Sequence, residues 1–163
     1  MTDVIVKRVL FVCLGNICRS PTAHGVFTAL VAERGLAGHV EVDSCGTGNW
    51  HVGSTPDERS IEAAAERGYD LRNLVARQVS LADFDTFDYV LAMDRTNLAH
   101  LEAMAPKDFV GHLGLFMPFA DAADTDEVPD PYYGGENGFA EVLDLVEAAS
   151  AGLLQEILRA AKA

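Results

Sequence analysis

The order of apolar patterns along the chain predicts an α/β fold: three layers, with a mostly parallel sheet between helices on both faces. Three observations carry this. Short apolar runs alternate with longer amphipathic stretches. The first run ends in "VLFVC", nearly continuous in Val, Leu and Phe, as in a strand buried on both faces. A helix pattern begins only about seven residues after Cys13, which gives the strand–turn–helix unit of parallel sheets.

Each element has its own signal. The first strand spans about Val4–Val12. Helix one starts with Ser20 as N-cap and Pro21 at the first helical position. Ala23, Val26, Phe27, Leu30 and Val31 share one face, and Gly35 stops it. His39–Ser44 reads as the second strand. "TPDE" (Thr55–Glu58) reads as a capping box with proline in the first turn, opening a helix to about Arg67 and Gly68. Asp88–Met93 is the third strand, and Asp94 caps the helix carrying Leu98, Leu101 and Met104. His112–Phe119 is the fourth strand. Phe139, Val142, Leu143, Val146, Leu153, Leu154, Ile157 and Leu158 give a long closing helix. Before it, Ala120–Gly138 is rich in Asp, Gly and Pro and reads as a long loop of the kind that carries function.

The 163 residues fit one domain, residues 1–163. The net charge is −13, from 12 Lys and Arg against 25 Asp and Glu, which argues against nucleic-acid binding. A chain this acidic must build its own local positive field to hold an anion. No apolar run reaches the ~18–20 residues of a transmembrane helix, so no membrane association is expected. "MTDVIVKR" lacks the pattern of a secretory signal, and a cytoplasmic location is expected. Cys13, Cys18 and Cys45 are an odd number of cysteines, expected as reduced thiols, with no zinc-knuckle spacing among them.

"CLGNICRS" stands where ligands bind in such folds, outside the carboxyl end of a strand. Backbone N–H groups of the turn can point inward, and the helix N-terminus adds partial positive charge. Gly15 permits close approach, and Asn16 tolerates the left-handed region. Arg19 returns over the loop with a planar fork suited to two phosphate oxygens. These groups favour the thiolate of Cys13, an in-line nucleophile toward phosphorus. Ser20 is placed to hydrogen-bond the sulfur and help it leave. Taken singly, a cysteine ending a strand is a core residue; the combination C-x5-R-S between strand and helix is far more specific. A P-loop NTPase is excluded for want of G-x4-G-K-[ST].

"VLFVCLGNICRSP" strongly resembles the low-molecular-weight protein tyrosine phosphatases, as do "DSCGTGNWHVGSTPDERS", "VLAMDRTN" and "DPYYGG", in family order over nearly the whole chain. "GTGNWHVG" is similar to bacterial members. The resemblance implies a four-stranded parallel sheet and hydrolysis of phosphotyrosine with no metal and no cofactor. It implies phosphotyrosine-containing proteins as substrates and phosphate or vanadate as inhibitors. Cys13 is then the nucleophile, and Leu14, Gly15, Asn16, Ile17, Cys18, Arg19 and Ser20 form the phosphate-binding loop. Ser44 supports Asn16, and Asp130 is the general acid. Trp50, Tyr132 and Tyr133 line the cleft for the phenyl ring, and Cys18 traps oxidised Cys13 as a disulfide. Cys45, where alanine is usual, and His24, where many members carry an acid, depart from the pattern.

A phenolate leaving group needs an acid in any case, since its conjugate acid has a pKa of ~10. Asp130 sits between Pro129 and Pro131; Asp126 and Asp124 are the alternatives, and Asp94 reads better as a cap. His51, His100 and His112 show no ligand spacing. Three other functions compete. A thiol-dependent arsenate reductase would need redox cysteines beyond Cys45. A phosphocysteine carrier would leave "DPYYGG" idle. A silent phosphotyrosine-binding module would be expected to lack Cys13 or Asp130.

Overall fold

A computed structural model describes residues 6–120, 125–131 and 137–161. Four parallel strands form one sheet in the order β2–β1–β3–β4, from β1 (Lys7–Cys13), β2 (Val40–Gly46), β3 (Tyr89–Ala92) and β4 (His112–Leu115). This is the parallel α/β fold expected. Because β1 has β2 on one side and β3 on the other, the chain reverses direction across it, and a crevice opens beyond its carboxyl end.

β1 is central because both its faces are apolar. Val9, Phe11 and Cys13 point into a core shared with α1 (Arg19–Glu33) and α5 (Gly138–Ala161). Leu10 and Val12 point the other way, toward Phe84 of α3 (Asp83–Thr86) and Leu101 of α4 (Arg95–Met104). Val9 through Val12 have no exposed surface. At about 1.5–3 kcal/mol per buried side chain, they anchor the strand whose last residue is Cys13. α2 (Glu58–Glu66) packs beside α5. Among the described residues no helix is long and apolar enough to cross a membrane.

Several boundaries differ from expectation, each for a physical reason. α1 begins at Arg19, not after a Ser20 cap; the Ser20 hydroxyl is turned to Cys13 and Asn16 instead. Thr22 closes the first turn, its hydroxyl donating to the Cys18 carbonyl at 2.7 Å. Gly35, with φ of 70°, follows the helix as predicted. The N-cap of α2 is Asp57, not Thr55: its carboxylate accepts the Arg59 N–H at 2.8 Å. β2 runs two residues past Ser44, to Gly46. β4 stops at Leu115, because Pro118 cannot donate to a ladder and lies in a 3₁₀ turn, Met117–Phe119. The short α3 has no signal in the apolar pattern.

Candidate active site

The turn after β1 is built so that its carbonyls face outward. The Cys13 carbonyl accepts from Thr47 N–H and that of Leu14 from Gly48 N–H, both at 2.9 Å. The Ile17 carbonyl accepts from Asp57 N–H at 2.8 Å. With the carbonyls used, no acceptor among the described residues takes the N–H groups of Gly15, Ile17 or Cys18. Such a ring of donors, continued by the first turn of α1, is an oxyanion cradle.

Two glycines under the loop are closely approached. A Cβ on Gly46 would lie 2.6 Å from the Leu14 carbonyl oxygen. One on Gly48 would meet the Trp50 ring, which rests directly on it. Asn16 adopts φ of 57°, the left-handed region anticipated for it.

Cys13 lies at the foot of the cradle, 3% exposed. Its sulfur accepts the Asn16 N–H at 3.2 Å and lies 3.0 Å from Ser20 Oγ. The Ser20 proton has two acceptors, the sulfur and the Cys45 carbonyl at 3.2 Å. A thiol donates to Ser20, whose proton then goes to Cys45. A thiolate, the stronger acceptor, draws that proton to itself. Asn16 Nδ2 donates to Ser20 Oγ at 2.8 Å, fixing the hydroxyl in place for either state.

Arg19 is buried and aimed by two acceptors. Its Nη1 donates to Asp94 Oδ2 at 2.6 Å and to the Val128 carbonyl at 3.1 Å. Its Nη2 lies 4.0 Å from Asp130 Oδ2. Burial works against the guanidinium charge, but Cys13, Asp94 and Asp130 outweigh it and raise its pKa. The segment leading to Asp130 is pinned to the same cluster. Val128 is fully buried, and its N–H donates to the Met93 carbonyl at 2.7 Å.

The sequence-derived residues therefore converge. Cys13, Leu14, Gly15, Ile17, Cys18, Arg19, Trp50 and Asp130 line one cleft of about 230 Å³. Asn16 and Ser20 lie behind it, both buried. Trp50 is 71% exposed at the rim, a face open to a planar ligand. Asp126, an alternative acid, is ion-paired to Arg95 outside the cleft. Tyr132, Tyr133 and Asp124 fall outside the described residues. Ser44 does not reach Asn16. Its hydroxyl pairs with His24 Nδ1 at 2.9 Å, while Asn16 Oδ1 accepts the Arg77 N–H at 3.1 Å. Ser44 lies on β2 beside α1, and the loop over Asn16 is the one carrying Arg77.

Sequence reasoning missed four participants. His51 joins the cleft lining and lies against Gly15. Gly46 and Gly48 set the close approach. Asp94, read only as a cap, holds Arg19; its position directly after the third strand, on the carboxyl edge of the sheet, was the available signal.

Known proteins resemble this chain along most of its length. The family model described as low molecular weight phosphotyrosine protein phosphatase matches residues 8–163. The chain is 47% identical over 154 residues to a low molecular weight protein-tyrosine-phosphatase of Streptomyces coelicolor, covering 92% of this chain and 93% of that one. It is 43% identical over 149 residues to the low molecular weight protein-tyrosine-phosphatase YfkJ of Bacillus subtilis, covering 91% and 94%. A crystal structure of a protein tyrosine phosphatase from Entamoeba histolytica, with Hepes in the active site, aligns with a TM-score of 0.91 at 38% identity, covering 94% and 98%. Matches of this length, at this identity, leave one assignment: the chain belongs to the low molecular weight phosphotyrosine protein phosphatase family of enzymes.

Proposed function

We propose that this chain is a single catalytic domain that hydrolyses phosphotyrosine in proteins, and small aryl phosphates, through a phosphocysteine on Cys13. The observation that carries the reading is the placement of the Cys13 sulfur beneath a ring of N–H donors, with Ser20 at 3.0 Å and a buried arginine beside it.

In the first step the Cys13 thiolate attacks phosphorus. An S–P bond forms, the aryl O–P bond breaks, and Asp130 gives its proton to the departing phenol oxygen. In the second step Asp130 takes a proton from water, which attacks phosphorus. The S–P bond breaks, phosphate leaves, and Ser20 donates to the returning thiolate. Arg19 and the N–H groups of Gly15, Ile17 and Cys18 hold the equatorial oxygens, where charge must be met throughout. Trp50 supplies an apolar wall for the phenyl ring, and Tyr132 and Tyr133 are assigned to the same role from sequence alone. No step calls for a metal or cofactor. Hepes carries a tetrahedral sulfonate, so its presence in the Entamoeba active site supports an oxyanion cradle in this family.

Phosphotyrosine-bearing proteins are the substrates on this reading, with phosphate and vanadate as competitors for the cradle and a cytoplasmic setting for the reduced thiol. The test is phosphate release from p-nitrophenyl phosphate in EDTA, with and without Cys13→Ser. Turnover that survives EDTA and vanishes in the variant is expected. Substantial activity in Cys13→Ser would sink the covalent mechanism.

A further inference from the structure

Arg77 lies in the segment between α2 and α3, and no step of the reaction above uses it. Its side chain is nonetheless firmly held. Nε and Nη2 donate to Asp43 Oδ2 at 3.2 and 3.1 Å. Nη1 and Nη2 form a fork on Asp83, at 3.0 Å each. Asp43 belongs to β2. Asp83 opens α3, is buried, and is itself fixed by the Ser80 N–H at 2.8 Å. The clamp thus spans two elements and leaves the guanidinium one orientation.

The backbone of the same residue touches the phosphate loop twice. Its N–H donates to Asn16 Oδ1 at 3.1 Å, and its carbonyl accepts the Gly46 N–H at 2.9 Å. Gly46 is the residue whose missing Cβ makes room for the Leu14 carbonyl. Asn16 is the residue held at positive φ, and it donates both to the Cys13 sulfur and to Ser20. A non-glycine residue keeps such a conformation only where its surroundings fix it. Among the described residues the side-chain carbonyl of Asn16 has one partner for this purpose, the peptide of Arg77.

We propose that Arg77 is a positioning residue for the phosphate loop: its clamp on Asp43 and Asp83 fixes the peptide that holds Asn16, and through Asn16 the aim of the loop's donors at sulfur and phosphate. The inference rests on the phosphatase reading for its catalytic consequence. A lysine cannot replace the clamp, because a single ammonium does not form the fork on Asp83 while reaching Asp43.

The experiment compares wild type with Arg77→Gln, Arg77→Lys and Asp43→Asn. It reads kcat and KM on p-nitrophenyl phosphate, vanadate affinity, the rate of Cys13 alkylation by iodoacetate, and Tm. Arg77→Gln is expected to lose about tenfold in kcat, with vanadate affinity and alkylation falling alongside. Arg77→Lys should recover little. Asp43→Asn, which leaves the fork on Asp83, should show a smaller loss of the same kind. If Arg77→Gln does not fold, the other two variants decide. Wild-type kcat, vanadate affinity and alkylation rate in Arg77→Lys and Asp43→Asn, whatever their Tm, would overturn the proposal and leave the clamp purely structural. Absence of Cys13-dependent turnover in wild type would instead refute the phosphatase reading, and the vanadate and alkylation comparisons would still decide the role of Arg77.

Discussion

The carboxylate of Asp94 holds Arg19 with one oxygen and caps a helix with the other. Oδ2 accepts from Arg19 Nη1 at 2.6 Å, and Oδ1 accepts the Asn97 N–H at 2.8 Å. The Arg19 guanidinium is thereby tied to the first turn of α4. The two roles fall on separate atoms of one side chain.

Substitution should separate them. Asparagine caps a helix about as well as aspartate, but its amide nitrogen would face the Arg19 guanidinium. Asp94→Asn is therefore expected to keep most of the stability and lose about ten- to a hundredfold in kcat/KM. Asp94→Ala should lose the same activity and about 1 kcal/mol more stability, the value of the cap. Steady-state kinetics beside thermal denaturation reads both. Equal stability in the two variants would show that Oδ1 contributes nothing as a cap.

His24 gives the fold a pH dependence. Burial is the main cause that lowers its pKa below 6.5; Asp43 raises it and Arg77 lowers it. The fold therefore favours the neutral ring, which pairs with Ser44. Stability from this group is complete above about pH 6.5, where the unfolded chain is also neutral. It is lost as pH falls from there through the folded pKa, because the unfolded chain takes up a proton that the fold resists. His24→Gln removes the titration. Denaturant unfolding at pH 7.5 and 5.5 should show wild type losing more stability than the variant. Parallel losses would place the acid sensitivity elsewhere.

The sheet was legible because its strands are short, apolar and separated by strong helix signals. The cluster of Cys13, the left-handed Asn16 and Arg19 was legible because the three fall within seven consecutive residues. The supports were not. Asp94 reaches Arg19 across 75 positions, and Arg77 reaches Asn16 across 61. No local pattern encodes such pairings; only the sheet order brings them together. Thr55 and Ser20 misled for one shared reason. Both have the chemistry of a cap, but Asp57 outcompetes the first, and the sulfur of Cys13 claims the hydroxyl of the second. Pro118 was the readable sign that β4 must end early.

The burial of Cys18 sets an expectation for its response to oxidants. Burial pushes its pKa up to about 12, with Ser60 pulling the other way and Asp57, Cys13 and Asp130 adding to the rise. Capture of a sulfenic acid on Cys13 needs the Cys18 thiolate, which is scarce at pH 7. The Cys13–Cys18 disulfide should therefore form slowly after mild peroxide at neutral pH. Its rate should rise about tenfold per pH unit between 7 and 9, in proportion to the thiolate fraction. Mass spectrometry of quenched samples follows it. Sulfinic acid on Cys13 with Cys18 still reduced at pH 9 would contradict the pairing.

Asp130 is the residue whose role a leaving-group comparison reveals. It stands in the cleft, 4.0 Å from Arg19, behind a backbone fixed at Val128 by hydrogen bonds to Met93 and Arg19. Asp126 is engaged differently: Arg95 binds both its oxygens, and the Arg95 N–H goes to Glu127 at 2.7 Å. An acid matters in proportion to the need of the leaving group for a proton. Tyrosine leaves as a phenol of pKa ~10, so Asp130→Ala should cost roughly 10²–10⁴ on phosphotyrosine. p-Nitrophenolate is a far weaker base and leaves without help, so the same variant should lose much less on its ester. Single-turnover kinetics isolates the step in which the aryl oxygen departs. Asp126→Ala should be nearly silent on both esters, because an exposed ion pair contributes about 0–1 kcal/mol to loop stability. Equal losses on the two esters in Asp130→Ala would reduce that residue to a loop-shaping role, and the proton donor would then be sought at Asp126 or Asp124.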